Sequence, residues 1–457
     1  MRLPPEIFKA YDIRGIVGRT LTAPVVHAVG QALGTLAREQ QCDAIAIGRD
    51  GRLSGPEFAS ALAEGIRAGG TNVVDLGMVA TPMTYFAAQH LDTRCSTMVT
   101  GSHNPPDYNG LKMVIAGNTL SGAEIQRLRE RIERGDVAQG SGNYRTHDIA
   151  PAYLERIVSD VRLARPLRIA IDCGNGVAGA FAPELFRRMG CEVVELYCEV
   201  DGTFPNHHPD PSQPGNLAAL IERLAQGDCE LGLAFDGDGD RLGVVTPSGA
   251  VIYPDRQLML YAADVLARVP GATVIYDVKS TRNLKPWIAQ HGGKPLMWKT
   301  GHSLIKMKMK ETGAALAGEM SGHTFFGERW YGFDDGLYTG ARLLEIVSRH
   351  NNPGALLEAL PDAVSTPELT FACAEGEQHA LIAELQQSAQ FPGSDSVVRL
   401  DGVRVEYPDG FGLARASNTT PVIVLRFEAD DAPALARIQQ SFRHVLQTAR
   451  PGISLPF

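Results

Sequence analysis

The chain has little that would suit it to a membrane, a nucleic acid or an oxidising compartment. No unbroken apolar run approaches the roughly 20 residues a membrane-spanning helix needs. Lys and Arg number 43 against 52 Asp and Glu, a formal charge of −9, so no broad positive field is present to attract nucleic acid or anionic lipid. The seven cysteines show no C-x-x-C or other metal-type spacing. An odd set of thiols without a framework fits a reducing interior. Residues 1–15 mix acids and bases with apolar residues and contain no signal-type apolar core. A cytoplasmic protein is therefore expected. Two catalytic signatures are also missing: Asn104 stands where a G-x-S-x-G elbow around Ser102 needs glycine, and there is no G-x-x-x-x-G-K-[ST] loop for ATP.

What is present is enough for several folded domains, since 457 residues exceed what one core organises, and 44% hydrophobic with 21% charged residues is a globular composition. One pattern recurs: apolar strand, turn, helical segment, second strand, then a further strand opening into a polar loop. The first pass runs from Ala44-Ile45-Ala46-Ile47 to Thr97-Met98-Val99, the second from Arg168-Ile169-Ala170-Ile171 to Leu233-Ala234-Phe235, and the third from Thr273-Val274-Ile275-Tyr276 to Ala314-Ala315-Leu316-Ala317. Alternating strands and helices predict α/β domains with parallel or mixed sheets. From about Thr366 the order changes to strand, helix, hairpin, strand and closing helix, which predicts a separate α+β domain. The predicted domains are 1–147, 148–250, 251–362 and 363–457.

The most informative run is Asp236-Gly237-Asp238-Gly239-Asp240-Arg241, three carboxylates at alternate positions after the apolar Leu231–Phe235. Alternate residues of an extended segment point one way, and such crowding calls for a hard cation, with Mg²⁺ the expected one. An EF-hand is excluded because its sixth and twelfth positions hold Arg241 and Pro247 instead of Gly and Glu. A solvated acidic turn is the plain alternative.

Ser102 lies between an apolar strand and His103-Asn104-Pro105-Pro106-Asp107-Tyr108-Asn109-Gly110, whose prolines and Asn-Gly forbid regular structure. Alone it reads as a turn or cap. A serine that carries a phosphoryl group would need a metal to spread charge in a loose transition state, which the Asp loop supplies. Arg415-Ala416-Ser417-Asn418-Thr419-Thr420 gathers donors suited to a phosphate dianion, or forms a polar turn. Glu319, Ser321 and His323 alternate and can meet one ligand, a sugar's hydroxyls among the choices. Lys306, Lys308 and Lys310 read as a solvated face, and His207-His208 as loop structure. His302, beside Gly301, is the better site candidate. Gly174-Asn175-Gly176-Val177-Ala178-Gly179, with Glu195 and Glu199 following, matches a dinucleotide fingerprint, or equally a place where glycines pack helix on strand.

Taken in order, the loops at Ser102, Asp236–Arg241, Glu319–His323 and Arg415–Thr420 resemble the four signature loops of the α-D-phosphohexomutases, and the likeness spans nearly the whole chain. Phe8–Gly15 and Pro106–Gly110 look most like the bacterial phosphomannomutase/phosphoglucomutase branch. The resemblance implies three related α/β domains and a TATA-binding-protein-like fourth around a central cleft. It also implies interconversion of mannose or glucose 1- and 6-phosphates through phosphoserine at Ser102 and a hexose 1,6-bisphosphate, glucose 1,6-bisphosphate being the activator. Mg²⁺ would be held by Ser102, Asp236, Asp238 and Asp240. The catalytic group would be Ser102, His103, Lys112, Arg241 and His323, with Lys112 or His323 moving the proton. Substrate would be held by Tyr11, Arg14, Lys279, His302, Glu319, Ser321, His323, Arg415, Ser417, Asn418 and Thr419. A monomer acting on phosphosugars, with no nucleic-acid or membrane partner, is expected.

Two departures change no charged or liganding group: Gly101 where many relatives carry Ala, and Ser280 where close relatives can carry Cys. Phosphoglucosamine mutases share the layout and are the alternative, although Met320 and Tyr108 lean toward the mannose/glucose branch. A dinucleotide-dependent oxidoreductase is the more distant one.

Overall fold

The computed structural model describes residues 3–374, 376–418 and 420–457. Its first three sheets follow one plan. In the first, Ala44–Arg49 pairs in parallel with Asn72–Met78 on one side and Ser96–Val99 on the other, and Tyr108–Ile115 returns antiparallel beside Ser96–Val99. The second sets Arg168–Asp172 between Glu192–Leu196 and Leu231–Phe235, with Leu242–Val245 returning antiparallel. The third sets Thr273–Asp277 between Lys294–Trp298 and Leu316–Gly318, with Thr324–Phe326 returning. Each time the third strand reverses into the fourth through a loop at the carboxyl end of the parallel strands, where open α/β sheets collect ligand groups. Those three loops carry Ser102, the Asp run and Glu319–His323.

The strands are apolar because both faces are covered: every residue of Leu231–Phe235 is buried. One core runs through all three units, from Phe86 on the helix Thr81–His90 through Tyr153 and Phe186 to Tyr338 and Leu344 on Gly336–Val347. Trp330 stacks on Tyr338 at 4.1 Å between ring centroids. Burying each such ring contributes roughly 2–3 kcal/mol, so the three units are fastened to one another.

The fourth unit is an antiparallel sheet ordered Val364–Ser365, Val422–Ala429, Gly410–Ala416, Val403–Tyr407, Ser396–Val398, with Leu369–Ala372 also beside Val422–Ala429. The helices Glu377–Ser388 and Ala432–Ala449 pack on it over a core of its own that includes Phe371, Leu425 and Phe442. Asp431 caps the second helix, its side chain accepting from Ala434 N at 2.8 Å. Gly410 and Gly412, before Arg415, belong to the strand Gly410–Ala416, and a Cβ on Gly412 would lie 2.3 Å from the Phe442 ring. Among the described residues no helix is long and apolar enough to cross a membrane.

Candidate active site

All four loops border one cleft of about 480 Å³, walled by Ser102, Arg241, Glu319 and Arg415 among others. Ser102 stands just past Ser96–Val99 in a left-handed conformation, φ 49°, and is only 3% exposed. Its Oγ lies 3.1 Å from His103 Nδ1 and donates to Asp236 Oδ2 at 3.3 Å. The serine of the first unit thus meets the Asp run of the second.

Asp236, Asp238 and Asp240 are fully buried, with a carboxylate oxygen of each within 4.8 Å of the others. The reason differs from strand alternation. The loop folds back on itself, Gly239 N donating to Asp236 O at 3.1 Å with Gly239 at φ 78°, so a turn makes the three side chains converge. Protein cations share the neutralisation. Lys112 Nζ donates to Asp238 Oδ2 at 2.7 Å and also to Asp240, and Arg241 Nε donates to Asp236 Oδ2 at 2.9 Å.

Burial alone would raise the Asp238 carboxyl, but the Lys112 ammonium overrides it and holds the group well below the carboxylate range. Asp236 goes the other way: burial, against Arg241, pushes it up to about 8. Asp238 Oδ1 and Asp240 Oδ1 have no hydrogen-bond partner among the described residues. Buried carboxylate oxygens with nothing to accept from, beside a carboxyl driven toward its neutral form, fit a hard divalent cation bound through oxygen. A second convergence of Asp240, His323 and Asp334 exists, but Lys306 Nζ, 2.9 Å from Asp334 Oδ1, already balances that carboxylate. Lys306 therefore turns inward, contrary to the solvated face expected of the three lysines.

Glu319 is 2% exposed, accepts from Gly301 N, and is pushed up to about 7 by burial. His323 Nδ1 lies 3.0 Å from Asp334 Oδ2 and 3.5 Å from Asp240 Oδ1. Burial opposes its protonation, yet Asp240 and Asp334 outweigh it and raise the imidazolium's pKa. The His302 ring stacks on His323 with centroids 5.4 Å apart, and burial with Lys306 nearby drives its pKa down.

Across the cleft Tyr11 donates to Thr300 O at 2.7 Å and accepts from Asn418, while Arg415 Nε donates to Asp401 Oδ2 at 3.2 Å. Ser417 Oγ is 3.0 Å from Thr420 Oγ1, and Lys279 Nζ donates to Glu368 Oε2 at 2.9 Å. Arg14 donates to Asp12 and Asn104. Ser321 joins the wall through its carbonyl, 3.4 Å from Arg241 Nη1. Thr419 lies outside the described residues.

The four domain models of phosphoglucomutase/phosphomannomutase match in series: α/β/α domain I over 5–139, domain II over 151–249, domain III over 253–364 and the C-terminal domain over 368–445. The chain belongs to the phosphoglucomutase/phosphomannomutase family. A phosphomannomutase/phosphoglucomutase of Pseudomonas aeruginosa is 55% identical over 100% of this chain and 98% of its own. A phosphoglucomutase of Neisseria meningitidis is 58% identical, with 99% and 98% covered. A solved family protein from Burkholderia thailandensis superposes with a TM-score of 0.95 at 58% identity over the whole of both chains. The expected fold class, three related α/β domains with a different fourth around a cleft, is the family's architecture, and the protein is an enzyme of this family.

Within this family member, several buried residues escape motif reading. Thr81 donates to Asp238 Oδ2 at 2.5 Å and, through its N–H, to Asp238 O at 2.9 Å. Asp334 serves His323 and Lys306, and Asp210 lies 3.4 Å from Arg241 Nη1. Thr81 sits after Asn72–Met78, at the same strand ends as the loops, and that position was its one signal. Asp334 had none, because its partners come from helix His302–Thr312 and from His323. His207-His208 brace the site: His207 Nε2 lies 3.0 Å from Asp172 Oδ1, and His208 reaches His103 O. The glycines at 174–179 serve packing, since a Cβ on Gly176 would lie 3.0 Å from Gly237 Cα in the Asp loop, and one on Gly179 would lie 2.0 Å from Cys198 O.

Proposed function

We propose that the protein interconverts the 1- and 6-phosphates of mannose and glucose, with Ser102 as phosphoryl carrier, Mg²⁺ as metal, and a hexose 1,6-bisphosphate as both intermediate and activator. The observation that carries this reading is the buried approach of Ser102 Oγ to Asp236 at 3.3 Å. Asp236, Asp238 and Asp240 with an oxygen on Ser102 would hold the cation, which when bound offsets phosphoryl charge as it develops. His103 flanks the carrier, and Lys112, committed as an ammonium to two carboxylates, balances charge.

In the first half-reaction the Oγ–P bond of phosphoserine breaks and a P–O bond to the sugar's free hydroxyl forms. The hydroxyl proton passes to His323, whose Nδ1 contact with Asp334 leaves Nε2 for it. After the bisphosphate turns over in the cleft, the other phosphoryl group returns to Ser102 and the proton goes back to the departing sugar oxygen. Arg415, Ser417, Asn418 and Thr419 hold the phosphate that is not reacting, and Tyr11, Arg14, Lys279 and His302 complete the cleft. Glu319 and Ser321 take the sugar's O3 and O4 and leave C2 unread, so glucose and mannose, which differ there, are both accepted.

The enzyme is read as a cytoplasmic monomer. The test is conversion of mannose 1-phosphate to the 6-phosphate with Mg²⁺ and a trace of bisphosphate. Ser102→Ala is expected to lose it, and unchanged turnover in that variant removes the carrier.

A further inference from the structure

No motif marks Arg52, yet its side chain is among the most completely enclosed in the protein, 1% exposed. It follows the strand Ala44–Arg49 and is remote in sequence from the serine loop. Its guanidinium nevertheless closes on that loop. Nη1 donates to the carbonyl oxygens of Pro105 at 2.6 Å and Tyr108 at 2.8 Å, and Nη2 to those of Ser102 and Asn104, both at 2.7 Å. Nε faces Asp50 Oδ2 at 3.3 Å.

The same Asp50 oxygen accepts from Thr100 Oγ1 at 2.7 Å, and Thr100 Oγ1 accepts from Ser102 N at 2.8 Å. Both backbone polar groups of Ser102 are therefore tied to the Asp50–Arg52 pair. This matters because φ 49° is a left-handed conformation that is strained for a side-chain-bearing residue and persists only where surroundings over-determine it.

Gly101 makes the room, since a Cβ there would lie 2.4 Å from Arg52 Cζ. From the second unit, the Phe204 ring covers the guanidinium at 5.2 Å.

We propose that Arg52 is a positioning residue for phosphoryl transfer: it holds the serine loop so that Ser102 Oγ stays aimed between the Asp run and the sugar. Four carbonyls converge on a planar fork of four N–H donors. An ammonium, with three donors at one point, cannot reproduce that match. The inference rests on Ser102 being the phosphoryl carrier.

The test compares wild type, Ser102→Ala and Arg52→Lys as full chains, measuring kcat and KM for glucose 1-phosphate with Mg²⁺ and bisphosphate. In Arg52→Lys, kcat is expected to fall on the order of 100-fold, as for a small misplacement of a reacting group, while KM stays within about 3-fold because the substrate's own contacts remain. Millimolar guanidinium is expected to restore part of the activity of Arg52→Ala and none to Ser102→Ala. A folded Arg52→Lys with wild-type kcat overturns the role, as does a loss of activity that only follows the loss of folded protein. If Arg52→Lys does not fold, Asp50→Asn, which keeps the guanidinium and removes the carboxylate facing its Nε, carries the same comparison. An active Ser102→Ala overturns the carrier reading instead, so the two failures are distinguishable.

Discussion

Thr81 fixes Asp238 by two hydrogen bonds, one from its hydroxyl and one from its backbone N–H. Removing the hydroxyl leaves Asp238 Oδ2 with Lys112 as its side-chain donor and loosens a carboxylate proposed to hold the metal. Thr81→Val is expected to raise the Mg²⁺ concentration for half-maximal activity about 10- to 100-fold, the usual cost of losing a residue that orients a ligand. An unchanged Mg²⁺ requirement would remove Thr81 from the metal's support. His207 offers a test by pH. Burial lowers its pKa, but the bond to Asp172 outweighs burial, and the folded value lies above 6.5. With the folded pKa above the unfolded one, this tie stabilises fully below about pH 6.5 and is lost as pH rises through the folded value. His207→Gln should therefore lower the urea midpoint at pH 6 by more than at pH 9, and an equal deficit at both would contradict the account. At this scale the sequence was most legible where residues were neighbours. The Asp run and the Ser102 loop could be read directly, whereas Lys306 could not, since its partner Asp334 is 28 residues away and reached only through the fold.

Elements explain why separate loops meet. Three times a parallel strand ends, the chain reverses and an antiparallel strand returns. Hydrophobic patterning revealed those strands. The convergence of the carboxylates was expected for the wrong reason, because a turn and not strand alternation brings them together. The clamp stretch shows the same limit: the sequence suggests a phosphate clamp or a polar turn beginning at Arg415, but Arg415 lies in the strand Gly410–Ala416, in which Gly412 sits under Phe442. Gly412→Ala should cost about 1–3 kcal/mol as an overpacked contact, read as a lower denaturation midpoint of the C-terminal unit. A neutral effect would mean that Phe442 moves aside freely.

For the whole molecule, the decisive feature is that the core crossing the first three units does not continue into the main core of the fourth. One core crosses the first three units, the first unit adds another around Leu33 and Phe58, and the fourth encloses its own around Phe442, meeting the third where Phe411 and Leu413 pack on Val278. Calorimetry is expected to separate two transitions, and Phe442→Ala to lower only that of the C-terminal unit, by about 3–5 kcal/mol of stability. A single transition that shifts as one would contradict this division. The central claim, that Ser102 carries the phosphoryl group beside the Asp run, is tested most directly by mass spectrometry of the peptide containing it during turnover. Incubation with glucose 1,6-bisphosphate is expected to place one phosphate on Ser102, and excess hexose 6-phosphate to take it off again. Turnover with Ser102 unmodified throughout, or phosphate held on another residue, would contradict the account.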